Sequence, residues 1–372
     1  MLPLSARVDP AAVERLLRRA AADVESGALP ACQLALALDG ELVAFEAFGV
    51  ATTATRFTVF STTKAFVASV VWHLLGEGLL ALPQRVAEVV PEFGENGKDT
   101  ITLEQVLLHT GGFPGGAMDL DAWRSPAARR AAFGAWRLSW EPGTRYEYHP
   151  LSAHYVLAEL ITAVTGEDHR DAVDRRVREP LALPRRVLGI QGGDDEDILP
   201  SYEVGDAPDP VPLPEGVTAV VDPDELLKFN RADVRELGVP GAGGVMTAAD
   251  LALFYQGLLR NPGELWSPAV LADATANVRN TFPDPWTGVS ANRTIGVVVA
   301  GDDGHSALRW MGSGVSPRAF GHAGAGGQIA WADPATGLSF GYCTNGLERD
   351  PARLAEREGA LSTLAAASVS LR

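Results

Sequence analysis

Ser61 and Lys64 stand three residues apart in the segment RFTVFSTTKAFVASVVWHLLGEG, which begins at Arg56. On a helix, residues three apart share a face, with Cβ atoms about 5–6 Å from each other. A serine hydroxyl is a poor nucleophile until a neighbouring base takes its proton, and a desolvated lysine can lose its charge and do so. Arginine cannot, because its guanidinium stays protonated at any workable pH. The chain is strongly biased toward arginine: its lysines are Lys64, Lys98 and Lys228 alone. A lysine at 64, in an apolar stretch, therefore points to a base rather than to a charge. An S-x-x-K pair is a weak signal by itself. Its place at the opening of an apolar helix, after a β-like run, is what strengthens it.

Two further stretches fit the same scheme. EPGTRYEYHPLSAHYVLAELI sets Tyr148 just before a long helix, and FGHAGAGGQIAWADPATGLSFGYCTNG sets His322-Ala323-Gly324 at the entrance to a strand. Together with LLHTGG at 107–112 and GAGGVMTAADLALF at 241–254, these segments resemble the serine β-lactamase-like superfamily over most of the chain. The likeness is to class C β-lactamases, D-alanyl-D-alanine carboxypeptidases and family VIII carboxylesterases. It implies that Ser61 is acylated, with Lys64 as its helix partner and Tyr148 as general base and then acid. It leaves open whether Lys64 or Tyr148 is the main base in acylation. The His322-Ala323-Gly324 run would replace the family's K-T-G on the strand lining the cleft. The backbone N–H groups of Ser61 and Ala325 would form the oxyanion hole, a task for aligned amide donors that needs no particular side chain.

Two departures bear on the substrate. Pro150 stands where the family usually carries asparagine, and it supplies no side-chain amide for a β-lactam or peptide. His322 replaces a lysine and grips a carboxylate less firmly when neutral. Both favour esters, so the expectation is a carboxylesterase acting on a small or medium acyl ester, with His322, Gly324 and Pro150 at the substrate. A β-lactamase or D-alanyl-D-alanine peptidase is the nearest alternative. An acyltransferase sharing the acyl-enzyme, and an inactive binding protein on the same scaffold, are the others. No cofactor or metal is implied: His149 and His154 are five apart, not the i, i+4 of a helical zinc pair, and HExxH is absent. The chain has no G-x-S-x-G. The GAGG runs at 241–244 and 324–327 lack phosphate-loop spacing and fit turns and close packing. His73, His109 and tryptophans 123, 136, 140 and 331 default to core or loop packing, although the tryptophans are also candidates for an acyl pocket.

The elements that must position these residues follow from periodicity. Asp9 and Pro10 open an amphipathic helix, and ACQLALALDGELVAFEAFG is a hairpin turning at Asp39-Gly40. Residues 61 to about 80 form a buried helix, and 81–240 are mainly helical with long loops. TIGVVVAG, GGQIAWAD and LSFGYCTN read as strands, and DPARLAEREGALSTLAAASV closes the chain as a helix. Strands at both ends and helices between imply an α/β (α+β) fold: residues 1–80 and 241–372 form a mixed domain, interrupted by an all-helical insertion at 81–240. The resemblance specifies its sheet as antiparallel, flanked by the terminal helices. The acidic, proline-rich stretch at 192–224 is either a surface loop or lid, or a disordered insertion. A net charge of −16 argues against nucleic acid or an anionic membrane as partner. Cys32 and Cys343 read as buried hydrophobes. The apolar run at 65–75 is too short to span a bilayer, and no basic-then-apolar leader opens the sequence. The expected partner is a small acyl substrate and the expected compartment the cytoplasm, with oligomeric state left open.

Overall fold

The computed structural model describes residues 7–206 and 212–370. The first helix, α1 (Pro10–Glu25), starts as its cap residues dictate: the Asp9 carboxylate accepts from the Ala11 N–H, and Pro10 has no N–H to leave unpaired. Strands β1 (Ala31–Leu38) and β2 (Glu41–Gly49) pair through Asp39 and Gly40, whose φ values of 52° and 94° match the right-handed twist of a two-residue hairpin. Strands β3 (Val298–Val299), β4 (Phe320–Gly324), β5 (Gln328–Asp333) and β6 (Leu338–Thr344) complete one antiparallel sheet in the order β2-β1-β6-β5-β4-β3. The pairing of β1 with β6 brings the two ends of the sequence together.

Every residue of β1 is buried because both faces of the sheet are covered. Leu34, Leu36 and Leu38 point to one side, where they join Leu16 and Ala20 of α1 and Leu361 of the last helix, α5 (Pro351–Ala366). Ala35 and Ala37 point to the other, toward α2 (Thr63–Gly76) and α4 (Ala248–Arg260). Phe66 of α2 stacks on Phe254 of α4 with centroids 3.8 Å apart. Alternation with a period of two thus assigns leucine and alanine to different layers. The fold is the antiparallel sheet flanked by terminal helices that the resemblance implied.

Several boundaries differ from expectation. The helix carrying Lys64 opens with a 3₁₀ turn, Phe60–Thr62, and ends at Gly76 rather than near 80, because Gly78 takes a positive φ of 71°. Only Val298 and Val299 of TIGVVVAG are strand. His322, Ala323 and Gly324 close β4 rather than stand at the entrance to a strand. The stretch 81–240 holds α3 (Ser152–Thr165), ended by Gly166 at φ 71°, but also a short strand, Tyr202–Val204, paired in parallel with Gly346–Glu348. Residues 207–211 of the proline-rich stretch lie outside the described residues. Its described parts are pinned: Asp194 and Asp197 bind Arg56, which is 1% exposed, and the N–H groups of Thr218 and Ala219 donate to Glu147 at 2.5 and 2.9 Å. The acidic run thus neutralises a buried arginine five residues before Ser61. Among the described residues no helix is long and apolar enough to cross a membrane.

Candidate active site

Ser61 sits in the first turn of its helix, reached through Phe60 at a left-handed φ of 44°. That strained backbone is held by burial of the Phe60 ring edge-on to Phe229, and by the Val59 N–H donating to Gly244 O at 2.9 Å. N–H groups in a first turn have no partner within the helix. Accordingly the Ser61 N–H has no acceptor among the described residues, and neither has that of Ala325, just beyond β4. The two backbones meet where side chains would forbid it. A Cβ on Gly324 would lie 2.3 Å from Val59 O, so the end of β4 can approach the Ser61 turn only as glycine. Gly324→Ala is therefore expected to push the two donors apart and lower kcat by about 10²-fold. A folded variant, checked by circular dichroism, with activity within twofold of wild type would show that the approach is dispensable.

Lys64 is fully buried, and its Nζ has three neighbours: Ser61 Oγ at 3.0 Å, and the carbonyl oxygens of Pro150 and Gly241 at 2.7 Å each. Burial, reinforced by the Arg293 cation, lowers its pKa well below the ordinary lysine value. A neutral amine has two N–H bonds and one lone pair. The two carbonyls take the N–H bonds, and the lone pair is left to accept the Ser61 hydroxyl proton. Pro150, marked from sequence for the amide it lacks, contributes instead its carbonyl.

Tyr148 lies beside this pair, its ring centroid 5.0 Å from Lys64 Nζ. Burial raises its pKa, opposed first by Arg293 and then by the Ser61 hydroxyl. Its own hydroxyl makes no hydrogen bond of ordinary geometry among the described residues. His322 is buried and its pKa falls well below 6.5, chiefly by burial and then by Arg293 and Lys64. Its Nδ1 donates to Ala323 O at 2.7 Å, and its ring stacks on Trp310 with centroids 6.3 Å apart. A neutral imidazole thus stands where the resemblance places the lysine of the family's K-T-G.

Two cavities meet at Ser61 and Ala325. The larger, about 590 Å³, is lined by Met118, Leu120, Tyr155, Leu226 and Phe229. The smaller, about 360 Å³, is lined by Tyr146, Tyr148, Arg293, Trp310 and His322. Of the tryptophans weighed for an acyl pocket, Trp123, Trp136 and Trp331 are buried in packing. Trp140 Nε1 reaches Glu147 at 3.3 Å. His149 is engaged by the Glu147 carbonyl and the Phe113 N–H, and among the described residues no group of three or more His, Cys, Asp or Glu is placed to hold a metal ion.

The structure thus brings Ser61, Lys64, Tyr148, Pro150, His322, Gly324 and Ala325 to one place. Sequence reasoning missed Arg293 and the Gly241 carbonyl. Backbone acceptors leave no trace in residue type, and an arginine in SANRTIG is one of many.

A sheet with terminal helices on one face, and a cluster of half-buried Ser61 and Tyr148 around the buried Lys64 at its edge, defines a serine hydrolase of the β-lactamase superfamily. The chain belongs to the Beta-lactamase family, which it matches over residues 14–365. It is 30% identical over 312 residues to "Esterase/beta-lactamase LipL" of Mycobacterium tuberculosis (strain ATCC 25618 / H37Rv), covering 78% of this chain and 69% of that one. It is 31% identical over 252 residues to "Esterase EstB" of Burkholderia gladioli, covering 59% of this chain and 60% of EstB. Among solved structures, a penicillin-binding protein homolog from Caulobacter crescentus superposes with a TM-score of 0.77 at 26% identity, covering 97% of this chain and 99% of the other. A family VIII carboxylesterase gives 0.76 at 24% identity, covering 96% and 98%, and speaks to the fold.

Proposed function

We propose that the protein is a carboxylesterase acting through a Ser61 acyl-enzyme. The observation that carries this reading is the buried Lys64 Nζ, held by two carbonyl oxygens at 2.7 Å each and 3.0 Å from Ser61 Oγ, to which a neutral amine would turn its lone pair. Ser61 Oγ bonds to the ester carbonyl carbon as its proton passes to Lys64. The carbonyl oxygen takes the negative charge between the Ser61 and Ala325 N–H groups. Collapse breaks the ester C–O bond, Tyr148 gives its proton to the departing alkoxide, and Lys64 restores that proton to Tyr148. Water then attacks the acyl-enzyme by the same steps and releases the acid.

An acid must reach the leaving oxygen, and Tyr148 lines only the smaller of the two cavities. The alcohol is therefore assigned to the cavity with Arg293, Trp310 and His322, and the acyl chain to the larger one, against Leu120, Tyr155, Leu226 and Phe229. Esters are favoured over β-lactams because Pro150 offers no side-chain amide and spends its carbonyl on Lys64, while His322 is neutral. Short and medium p-nitrophenyl esters are expected to turn over with kcat/KM at least about 100-fold above nitrocefin, a discrimination of roughly 2.7 kcal/mol. Nitrocefin as the better substrate would replace this reading with the lactamase one. Hydrolysis of D-alanyl peptides in the same panel would favour a peptidase, and product formed on an added alcohol would reveal acyl transfer.

A further inference from the structure

Arg293 is 3% exposed, yet among the described residues no carboxylate pairs with it. Buried cations are ordinarily paired, because an unpaired charge is costly to desolvate. The side chain is also fixed. Its backbone N–H and C=O exchange hydrogen bonds with Asn280, each at 3.1 Å, and its Nε donates to Tyr146 Oη at 2.9 Å. The guanidinium carbon stands 5.5 Å from the Tyr146 centroid and 5.0 Å from that of Tyr148. Lys64 Nζ lies at the same 5.0 Å from the Tyr148 ring. Lys64 and Arg293 thus stand equally close to one tyrosine ring beside Ser61, and the guanidinium faces the smaller cavity.

We propose that Arg293 is the resident cation of the proton-transfer site: it keeps Lys64 as the free amine and favours release of the Tyr148 proton. It supplies from a loop the charge that a neutral His322 does not supply from β4. This rests on the Ser61 reading above. The remaining titratable groups around the pair are Tyr146 and the imidazoles of His109, His149, His154 and His322, with Asp284 near Tyr146. Glu358, pushed up to about 8 by burial, and Arg309, paired with Asp303, line the smaller cavity. All four imidazoles are driven toward their neutral forms, by burial first and with Arg293 among the further causes. They add no charge at neutral pH. Arg293 is thus the charge that Lys64 senses most after burial itself. Across one ring, at an effective dielectric of about 20, a unit charge changes a neighbour's proton affinity by about one pH unit or more.

The sign is fixed: Lys64 works deprotonated, removing a nearby cation raises its pKa, and the rising limb of activity against pH moves to higher pH. The test is the second-order rate of Ser61 labelling by a fluorophosphonate, followed against pH in wild type, Arg293→Met, Arg293→Gln and Arg293→Lys. The glutamine variant keeps a donor for Tyr146 and guards against misfolding of the methionine one; each is checked by melting. Arg293→Met and Arg293→Gln are expected to shift the limb upward by about one unit, and Arg293→Lys to restore at least half of that shift. An unmoved limb in a folded Arg293→Gln overturns the inference alone. So does a limb that stays fixed while KM rises only for esters bearing a carboxylate, which would make Arg293 a substrate anchor. A wild type that no fluorophosphonate labels at any pH would sink the Ser61 reading and this inference with it.

Discussion

Lys64→Arg is expected to give a folded protein whose acylation rate is down by about 10²–10⁴. The substitution keeps the positive charge and most of the stem, so a purely electrostatic role for residue 64 would leave activity nearly intact. The geometry argues otherwise. Pro150 O and Gly241 O hold two hydrogens of the amine, and only a nitrogen with a free lone pair can then receive the Ser61 proton. A guanidinium has no such lone pair at any working pH. It would also set a second fixed charge next to Arg293, around a tyrosine that already carries one cation at 5.0 Å. Lys64 is fully buried, so the larger fork is expected to cost about 1–3 kcal/mol through overpacking. Melting must therefore be measured beside the burst of p-nitrophenol that reports acylation. Lys64→Ala should be equally slow, because both variants lack the base. If Lys64→Arg kept more than a tenth of wild-type activity while Lys64→Ala was dead, charge rather than basicity would be the requirement at this position.

The parts of the molecule legible in the sequence were those written in side-chain type and period. The hairpin at Asp39-Gly40 and the cap at Asp9 follow from local chemistry and occur where that chemistry places them. The leucine–alanine alternation of β1 contains both layers of the fold. What escaped was written in backbone or in distance. TIGVVVAG has strand composition, yet β3 takes only two of its residues, because Gly296 at φ 149° and the Thr294–Val297 turn interrupt the pairing. The proline-rich stretch looked loop-like because its partners, Arg56 and Glu147, are far away in sequence. Arg293 could be recognised only once its missing counter-ion was visible, and a missing contact has no sequence signature. The motif residues at 61, 64, 148 and 322 were legible as a set; the electrostatics that set their protonation were not.

Tyr148→Phe isolates the proton on its way to the leaving group. The phenylalanine ring keeps its place beside Lys64 and Arg293, and the lost hydroxyl had no hydrogen bond of ordinary geometry among the described residues. Removing an unpaired buried polar atom does not weaken a fold, and the variant should melt at or slightly above the wild-type temperature. Its rate on esters of simple alcohols should fall by about 10²–10⁴, the usual loss for a missing general acid–base group. The size of the fall should depend on the leaving group. An alkoxide departs poorly without a proton, whereas p-nitrophenolate is stable as the anion and needs little help. Ethyl and p-nitrophenyl esters of the same acid should therefore separate in the variant more than in the wild type, by about tenfold or more in the acylation rate. A uniform loss on both esters would assign Tyr148 to activation of Ser61 rather than to the departing alcohol. Near-normal rates on both would reduce the tyrosine to packing beside Lys64 and Arg293, and Lys64 would then have to carry the proton in both directions by itself.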